Sequence, residues 1–254
     1  MIDLSQLGAG LVTVGMRVSA LLLFAPFPGG AAVPIQVKSG LGLVLTCLLY
    51  PVYGGGVAVP TLGNIAVIAM NEMVIGALLG LSLSFVFDAA QMAGQSMGLQ
   101  VGFSLVNIID PQTQVETPVL ATLHQLVVLL IFLQLNVHHW LLLGLAKSFD
   151  YQPSSSFHLS GAVVERLLHA AGGILLAGVQ IAAPVLLATM TADITLGFIA
   201  KASQQLQVLF VGLSVKTVLA LLIWMAALRF WPGIFERYFA QAIRLGEELL
   251  QLSR

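Results

Sequence analysis

The sequence predicts an all-α, membrane-associated protein built from broken helices and helical hairpins. Three observations carry that expectation. Of 254 residues, 58% are apolar and only 8% are charged, whereas an average soluble domain has about a quarter charged residues. Six apolar stretches, roughly 4–25, 33–53, 62–87, 117–135, 167–200 and 206–231, are separated by Pro- and Gly-rich connections. The tail from Pro232 changes character and reads as an amphipathic helix. This composition excludes a disordered chain, a nucleic-acid binder and an ordinary cytosolic enzyme. Ten Lys and Arg against eleven Asp and Glu attract no polyanion. The single cysteine, Cys47, excludes an internal disulfide and a cysteine-based metal site, and within Leu43–Leu49 it reads as a buried small hydrophobe.

The elements follow in order. The first ten residues carry Asp3 and no Lys or Arg, and Arg17 interrupts the apolar run, so stretch one reads as retained structure and not as a cleaved signal. Pro26-Phe27-Pro28-Gly29-Gly30 stops it. Stretch two has few strongly apolar residues between Lys38 and Pro51, and Gly54-Gly55-Gly56 with Pro60 turns the chain. By length, only the third and sixth stretches qualify cleanly as bilayer spans, which need about 20 apolar residues. Asp110-Pro111 ends a segment, and Thr117-Pro118 has the N-cap and N1 residues of a helix start. The fourth stretch is short before Asn136, and the fifth is expected to break at Gly172-Gly173, Pro184 and Asp193. Such breaks are tolerated only where protein shelters the backbone, because an unsatisfied polar group in hydrocarbon costs several kcal/mol. In the tail, Ile234, Phe235, Tyr238, Phe239, Ala242, Ile243 and Leu249 have helical spacing, with Glu236, Arg237, Arg244, Glu247 and Glu248 between them. That helix is expected at an interface or against a partner. The arginines of this end favour a cytoplasmic C-terminus, and no 20–50-residue repeat is visible.

Glu72, Gly76, Gly80, Ser84 and Asp88 recur every four residues and form one slowly drifting stripe on a helix. Gly94, Gly98 and Gly102 continue the small-residue spacing, with Gln91, Gln95 and Gln100 around them. Such a face suits close helix packing or a water-filled lining, with packing at Gly76, Gly80, Gly94 and Gly98 preferred. Arg17, Lys38, Glu72, Asp88, Asp193 and Lys216 are ionisable residues inside apolar segments. Each should be paired with another helix or subunit, or face a cavity; a solute transporter with Glu72, Asp88, Asp193 and Lys216 as coupling sites is the rival reading. The chain is short for an inverted-repeat transporter, and no internal repeat supports one. Catalytic motifs are weak. Gly94-Gln95-Ser96-Met97-Gly98 spells G-x-S-x-G, yet no strand precedes it. His124 with His138-His139 suggests a metal only until the missing acidic or Cys ligand is noticed. Gly8-Ala9-Gly10 lacks the third glycine of a dinucleotide site.

The order of features resembles the FliR family, the export-gate subunit of flagellar type III secretion, together with its virulence-system homologues. The resemblance covers nearly the whole chain. It starts with Arg17-Val18, Ala25-Pro26, Pro34 and Val37-Lys38-x-Gly40-Leu41-Gly42, and continues through Glu72, Gly76 and Gly80. The block Gly98-Leu99-Gln100-Val101-Gly102-Phe103-Ser104 follows, then Asp110-Pro111 and Pro118-Val119-Leu120. Asn136, His138, Trp140 and Ser148-Phe149 come next. Gly172-Gly173, Gln180-x-Ala182-x-Pro184, Leu196-Gly197, Gln205-Leu206-x-Val208, Gly212 and Lys216 complete the order. Two positions depart from the family's habit: Val137 stands where glycine is frequent, and Gln204 where proline is frequent; both leave room for a divergent branch, with a virulence-type (injectisome) export-gate subunit as the alternative to a flagellar one.

The resemblance implies a non-enzymatic subunit without metal or cofactor. It implies a FliP-like part over 1–160 fused to a FliQ-like helical hairpin over 161–254, the whole forming one intertwined unit. It implies a helical hetero-oligomer with FliP and FliQ, with FlhB at the entrance and FlhA and the basal-body ring nearby. Unfolded export substrates would pass through its centre. A plug loop of about Gly102–Val119 would hold Gly102, Phe103, Ser104, Ile108, Ile109, Asp110 and Pro111, with Phe103, Ile108 and Ile109 as apolar seals. The implied location is the bacterial inner membrane within the flagellar basal body, part of the assembly standing above the bilayer.

Overall fold

A computed structural model describes residues 4–29, 33–54, 64–101, 119–153, 160–202 and 207–253. The plug loop implied at 102–118 lies outside them. Every described element is helical. In chain order these are α1 (Leu4–Phe24), the short α2 (Pro26–Gly29), α3 (Ile35–Tyr53), α4 (Ile65–Val101), α5 (Val119–Gln134), α6 (Val137–Tyr151), α7 (Gly161–Ala202), α8 (Gln207–Ala227) and α9 (Trp231–Leu252). Four helices are long and apolar enough to cross a bilayer, or up to six if α5–α6 and α8–α9 each count as one broken span.

Local chemistry sets the breaks. Phe27 is extended, with φ −136° and ψ 126°, because Pro28 crowds the α conformation of the residue before it. Asn136 has φ 55° and ends the run between α5 and α6; asparagine is among the few residues that enter the left-handed region readily. The His139 amide then donates to the Asn136 carbonyl, which starts α6.

Four expectations need correction. Stretch one and stretch two both qualify as spans by length and composition, as Gln6–Phe24 and Ile35–Tyr53; a single Arg17 does not outweigh the apolar residues of α1, and α3 continues through Pro51 to Tyr53. The third stretch does not end at 87; it runs with the following glycine block as one helix of 37 residues. The fifth stretch does not break, since α7 is continuous over 42 residues with Pro184 inside it. One proline removes a single N–H, and in apolar surroundings the other backbone groups have no better partner than their own helix. At 1.5 Å per residue α4 and α7 are roughly 55 and 63 Å long, about twice the hydrocarbon thickness of a bilayer. Finally, Cys47 is exposed, because α3 leans on α1 through Gly42 and Thr46 and leaves the rest of its surface outward.

Packing divides the chain into two compact units. The first comprises Met1–Val86, Asn136–Ala171 and Tyr238–Arg254. Its core includes Val18, Leu21, Ile75, Leu83, Leu145 and Phe239. The C-terminal helix belongs here from Tyr238 onward, and its apolar face packs on its own chain. Phe239, Ala242, Leu249 and Leu250 are buried, while Arg244 and Glu248 are outward. Lys147 pairs with Glu247 at 3.5 Å, and Arg166 with Glu248 at 2.7 Å. The second unit comprises Phe87–Leu135 and Gly172–Arg237. Its core includes Ala93, Met97, Val128, Phe132, Val185 and Trp231.

Candidate functional site

Arg17 and Glu72, 55 residues apart, form the most deeply enclosed polar site of the first unit. The Arg17 Nε donates to Glu72 Oε2 at 2.6 Å, and both side chains are fully buried. One terminal nitrogen of Arg17 donates to Ser148 Oγ at 3.1 Å, and the other to the Gln152 carbonyl at 2.9 Å. The guanidinium lies 4.0 Å from the centroid of the Phe149 ring, which stacks on Tyr53 at 4.8 Å. Gln152 extends the network: its Nε2 donates to the Leu250 carbonyl and to Ser253 Oγ. A fork with planar donors is what such a convergence needs, and lysine could not supply it. The network therefore joins α1, α4, α6 and the end of α9. Ser148, Phe149 and Gln152 have no periodic signal in the sequence that marks them as its partners.

A second charged group lies in the second unit. Lys216 Nζ donates to Asp193 Oδ2 at 2.7 Å, and Gln100 Nε2 donates to the same oxygen at 3.2 Å. The side chains are 13% and 46% exposed for Lys216 and Asp193. A cavity of about 260 Å³ beside them is lined by Asp193, Leu196, Gly197, Ala200, Gly212 and Lys216. Of the six ionisable residues expected to pair or to face a cavity, Arg17 pairs with Glu72 and Lys216 with Asp193, and only the first pair is fully buried. Lys38 is half-buried, and Asp88 and Asp193 are exposed. For Asp88 the reason is geometric. A four-residue step drifts about 40° on a helix of 3.6 residues per turn, so the sixteen residues from Glu72 to Asp88 accumulate roughly 160°. The stripe begins inside at Glu72, Gly76 and Gly80, becomes half-buried at Ser84 and ends outside.

The glycines differ in the same way. A Cβ at Gly76 would strike the Arg17 carbonyl oxygen and come within 3.0 Å of Ala20 Cβ. At Gly80 it would meet Phe24 Cβ at 2.8 Å, and at Gly94 the Ala121 Cα at 2.6 Å. At Gly98 the nearest atom is Leu120 Cβ at an ordinary 3.8 Å. Three of the four predicted packing glycines are therefore points of backbone contact within the chain.

Ser96 sits inside α4, away from any strand-to-helix turn. Among the described residues no group of three His, Cys, Asp or Glu could hold a metal ion. The seven plug-loop residues lie outside the described residues. What the described surface offers is apolar: Leu175, Leu187, Ile194 and Phe198 on α7 are each more than 60% exposed, as are Ile35, Leu43 and Leu48 on α3. Surface of this kind is covered by lipid or by other protein.

Comparison with known proteins gives the same picture over the full length. The chain is similar to the flagellar biosynthetic protein FliR of Escherichia coli K12, with 28% identity over 236 residues, 92% of this chain and 90% of that protein. It is similar to FliR of Pectobacterium carotovorum, at 29% over 240 residues, 94% and 92% of the two chains. With FliR of Bacillus subtilis strain 168 the identity is 27% over 242 residues, 94% and 93% of the two chains. Residues 9–242 match the family described as bacterial export proteins, family 1, and the chain belongs to that family.

Proposed function

We propose that the chain is the FliR-type subunit of a flagellar type III protein export gate, embedded in the bacterial inner membrane at the flagellar basal body. The observation that carries this reading is the end-to-end match to FliR, which spans at least 90% of each of three such proteins. Its partners are FliP and FliQ in a helical hetero-oligomer, with FlhB at the entrance and FlhA and the basal-body ring close by. The export substrates are unfolded flagellar subunits. In this reading 1–160 is the FliP-like part and 161–254 the FliQ-like hairpin. The role is structural: the chain lines and closes a path, and the energy for transport is supplied elsewhere.

Two features support a subunit over a free-standing solute carrier. Glu72 and Asp193, the carboxylates a carrier would use, are each already engaged by a cation of the same chain. The outward face of α7 is apolar, and at 42 residues α7 exceeds the bilayer in length, so part of that apolar surface lies beyond the hydrocarbon.

Expression of the chain with FliP and FliQ, followed by affinity purification, tests the reading. Recovery of one stable complex, and restored export of flagellar subunits in cells lacking FliR, are the expected results. A stable lone monomer that neither co-purifies nor restores export sinks it. For the plug loop, deletion of Ser104–Glu116 should leave the complex assembled but leaky to small ions. An intact complex with unchanged ion permeability counts against the plug.

A further inference from the structure

Within the second unit α4 and α7 run side by side. A Cβ at Gly178 would lie 3.2 Å from the Ala89 carbonyl oxygen and from Met92 Sδ, and further along Gln100 Nε2 donates to Asp193 Oδ2 at 3.2 Å. At that shared level their outward faces differ in kind. On α7 the exposed side chains include Val179, Leu187 and Met190. Thr191 closes its hydroxyl on the Leu187 carbonyl of its own helix, and Gln180 is likewise engaged. On α4 the exposed residues between 87 and 98 are Asp88, Gln91 and Gln95. Steps of three and four put them on one arc of about 60° and within about 10 Å of helix. Among the described residues none of these three has a hydrogen-bond or ion-pair partner.

The other sides of this stretch of α4 are spent. Ala89, Ala90, Ala93 and Gly94, the small residues through which a helix is approached closely, are all buried. Gly94 meets the Ala121 backbone of α5. Unpartnered Asp and Gln side chains make a poor face for one more helix. Ordering them costs rotamer entropy, and Asp is depleted from the core of interfaces. Hydrocarbon is worse, since it offers their polar atoms no partner. Bulk water all round does not fit the apolar face of α7 at the same level. Water on one side only fits both faces, and a conduit supplies it.

We propose that Asp88, Gln91 and Gln95 form a hydrophilic rail facing the export path, along which an unfolded polypeptide slides by exchanging short-lived hydrogen bonds. The proposal rests on the export-gate reading and names the face of the chain that meets the substrate. A Gln side chain ends in an amide with the donor and acceptor of a peptide group. It therefore matches the backbone of any sequence, and competing water keeps each bond brief. Gln91 and Gln95 stand about 6 Å apart along the helix, four residues at about 1.5 Å each. Alternate residues of an extended chain, whose backbone groups point the same way, repeat at about 6.7 Å. The flexible Gln side chains absorb the difference. The Asp88 carboxylate, when ionised, only accepts. It keeps its end of the strip hydrated and open to backbone N–H groups.

Photo-cross-linking in cells tests the rail. A photoreactive residue replaces Gln91, Gln95 or, at the same level on α7, Leu187, while a flagellar subunit fused to a tightly folded domain stalls in the path. The substrate should be captured from 91 and 95 and not from 187. A complex with FliP and FliQ that assembles yet yields no substrate adduct at 91 or 95, or as much at 187, overturns the rail and leaves the gate reading standing. Failure of the unsubstituted chain to assemble with FliP and FliQ overturns both. Export rate is the second readout. Gln91→Leu with Gln95→Leu should slow export several-fold at unchanged yield of complex, and Gln91→Asn with Gln95→Asn should recover most of the rate. Unchanged export by the leucine pair makes the amides idle, and a loss of complex instead makes them a subunit contact; either result overturns the proposal.

Discussion

Two charge pairs of nearly equal length have different physical meaning in this protein. Arg17–Glu72 measures 2.6 Å and Lys216–Asp193 measures 2.7 Å. The first is sealed, and all three kinds of Arg17 nitrogen donate to protein acceptors. The second keeps nearly half of the Asp193 side chain open. Distance alone would rank them together; burial separates them. A sealed pair becomes a liability as soon as one partner is missing, because the survivor is a charge with nowhere to go. The largest expected effect of any single change is therefore at Arg17. Arg17→Ala or Glu72→Ala should destabilise the first unit by about 3–5 kcal/mol, read as loss of folded protein or a large fall in Tm in detergent. Replacing both at once, Arg17→Met with Glu72→Leu, should do less harm than either alanine variant. Equal damage from the pair and the singles would mean that the charges are not what matters there.

The next effect contrasts two glycines of one helix. At Gly76 an added side chain meets the Arg17 carbonyl, which cannot move without disturbing the charge network behind it. Gly76→Leu should cost about 1–3 kcal/mol by overpacking, and should also lower recovery of any complex that needs a folded first unit. Gly98→Ala finds only Leu120 at 3.8 Å. It should leave Tm within experimental scatter and, by helix propensity, stabilise slightly. A Gly98→Ala variant that folds alone but fails to assemble would place a partner's backbone at that position, which the isolated chain does not require.

Much of this was legible in the residues. The all-helical class, the proline-driven stops near Pro26, the break at Asn136 and the small-residue contacts at Gly76, Gly80 and Gly94 follow from local rules. The continuity of α7 through Pro184 was not legible. Local propensity counts the lost hydrogen bond and ignores that apolar surroundings offer the backbone no alternative. The exposure of Asp88 was readable in principle, since a four-residue repeat must drift around its helix. The partners of Arg17 were not readable at all. Ser148 and Gln152 are ordinary polar residues until tertiary packing carries them 131 and 135 positions back along the chain. The candidate plug loop rests on resemblance, and the described residues end at Val101 and resume at Val119 on either side of it.

The smallest effect belongs to the open pair, and it is the one that speaks to assembly. In the chain alone, Asp193→Asn removes an interaction screened by solvent. It should change stability by only about 0–1 kcal/mol, with a Tm difference that shrinks further as salt is raised. In hydrocarbon the same half-exposed carboxylate would cost several kcal/mol, so in the working protein that side of Asp193 faces protein or water. The isolated variant and the assembled one should therefore behave differently. Asp193→Asn and Lys216→Met should each leave the detergent-solubilised chain nearly unchanged, yet reduce the yield of the complex proposed with FliP and FliQ. The charge-swapped pair Asp193→Lys with Lys216→Asp should restore part of that yield if only mutual neutralisation is needed. If the swap fails while each single variant still folds alone, the oxygen left free on Asp193 is read directly by a partner's donor.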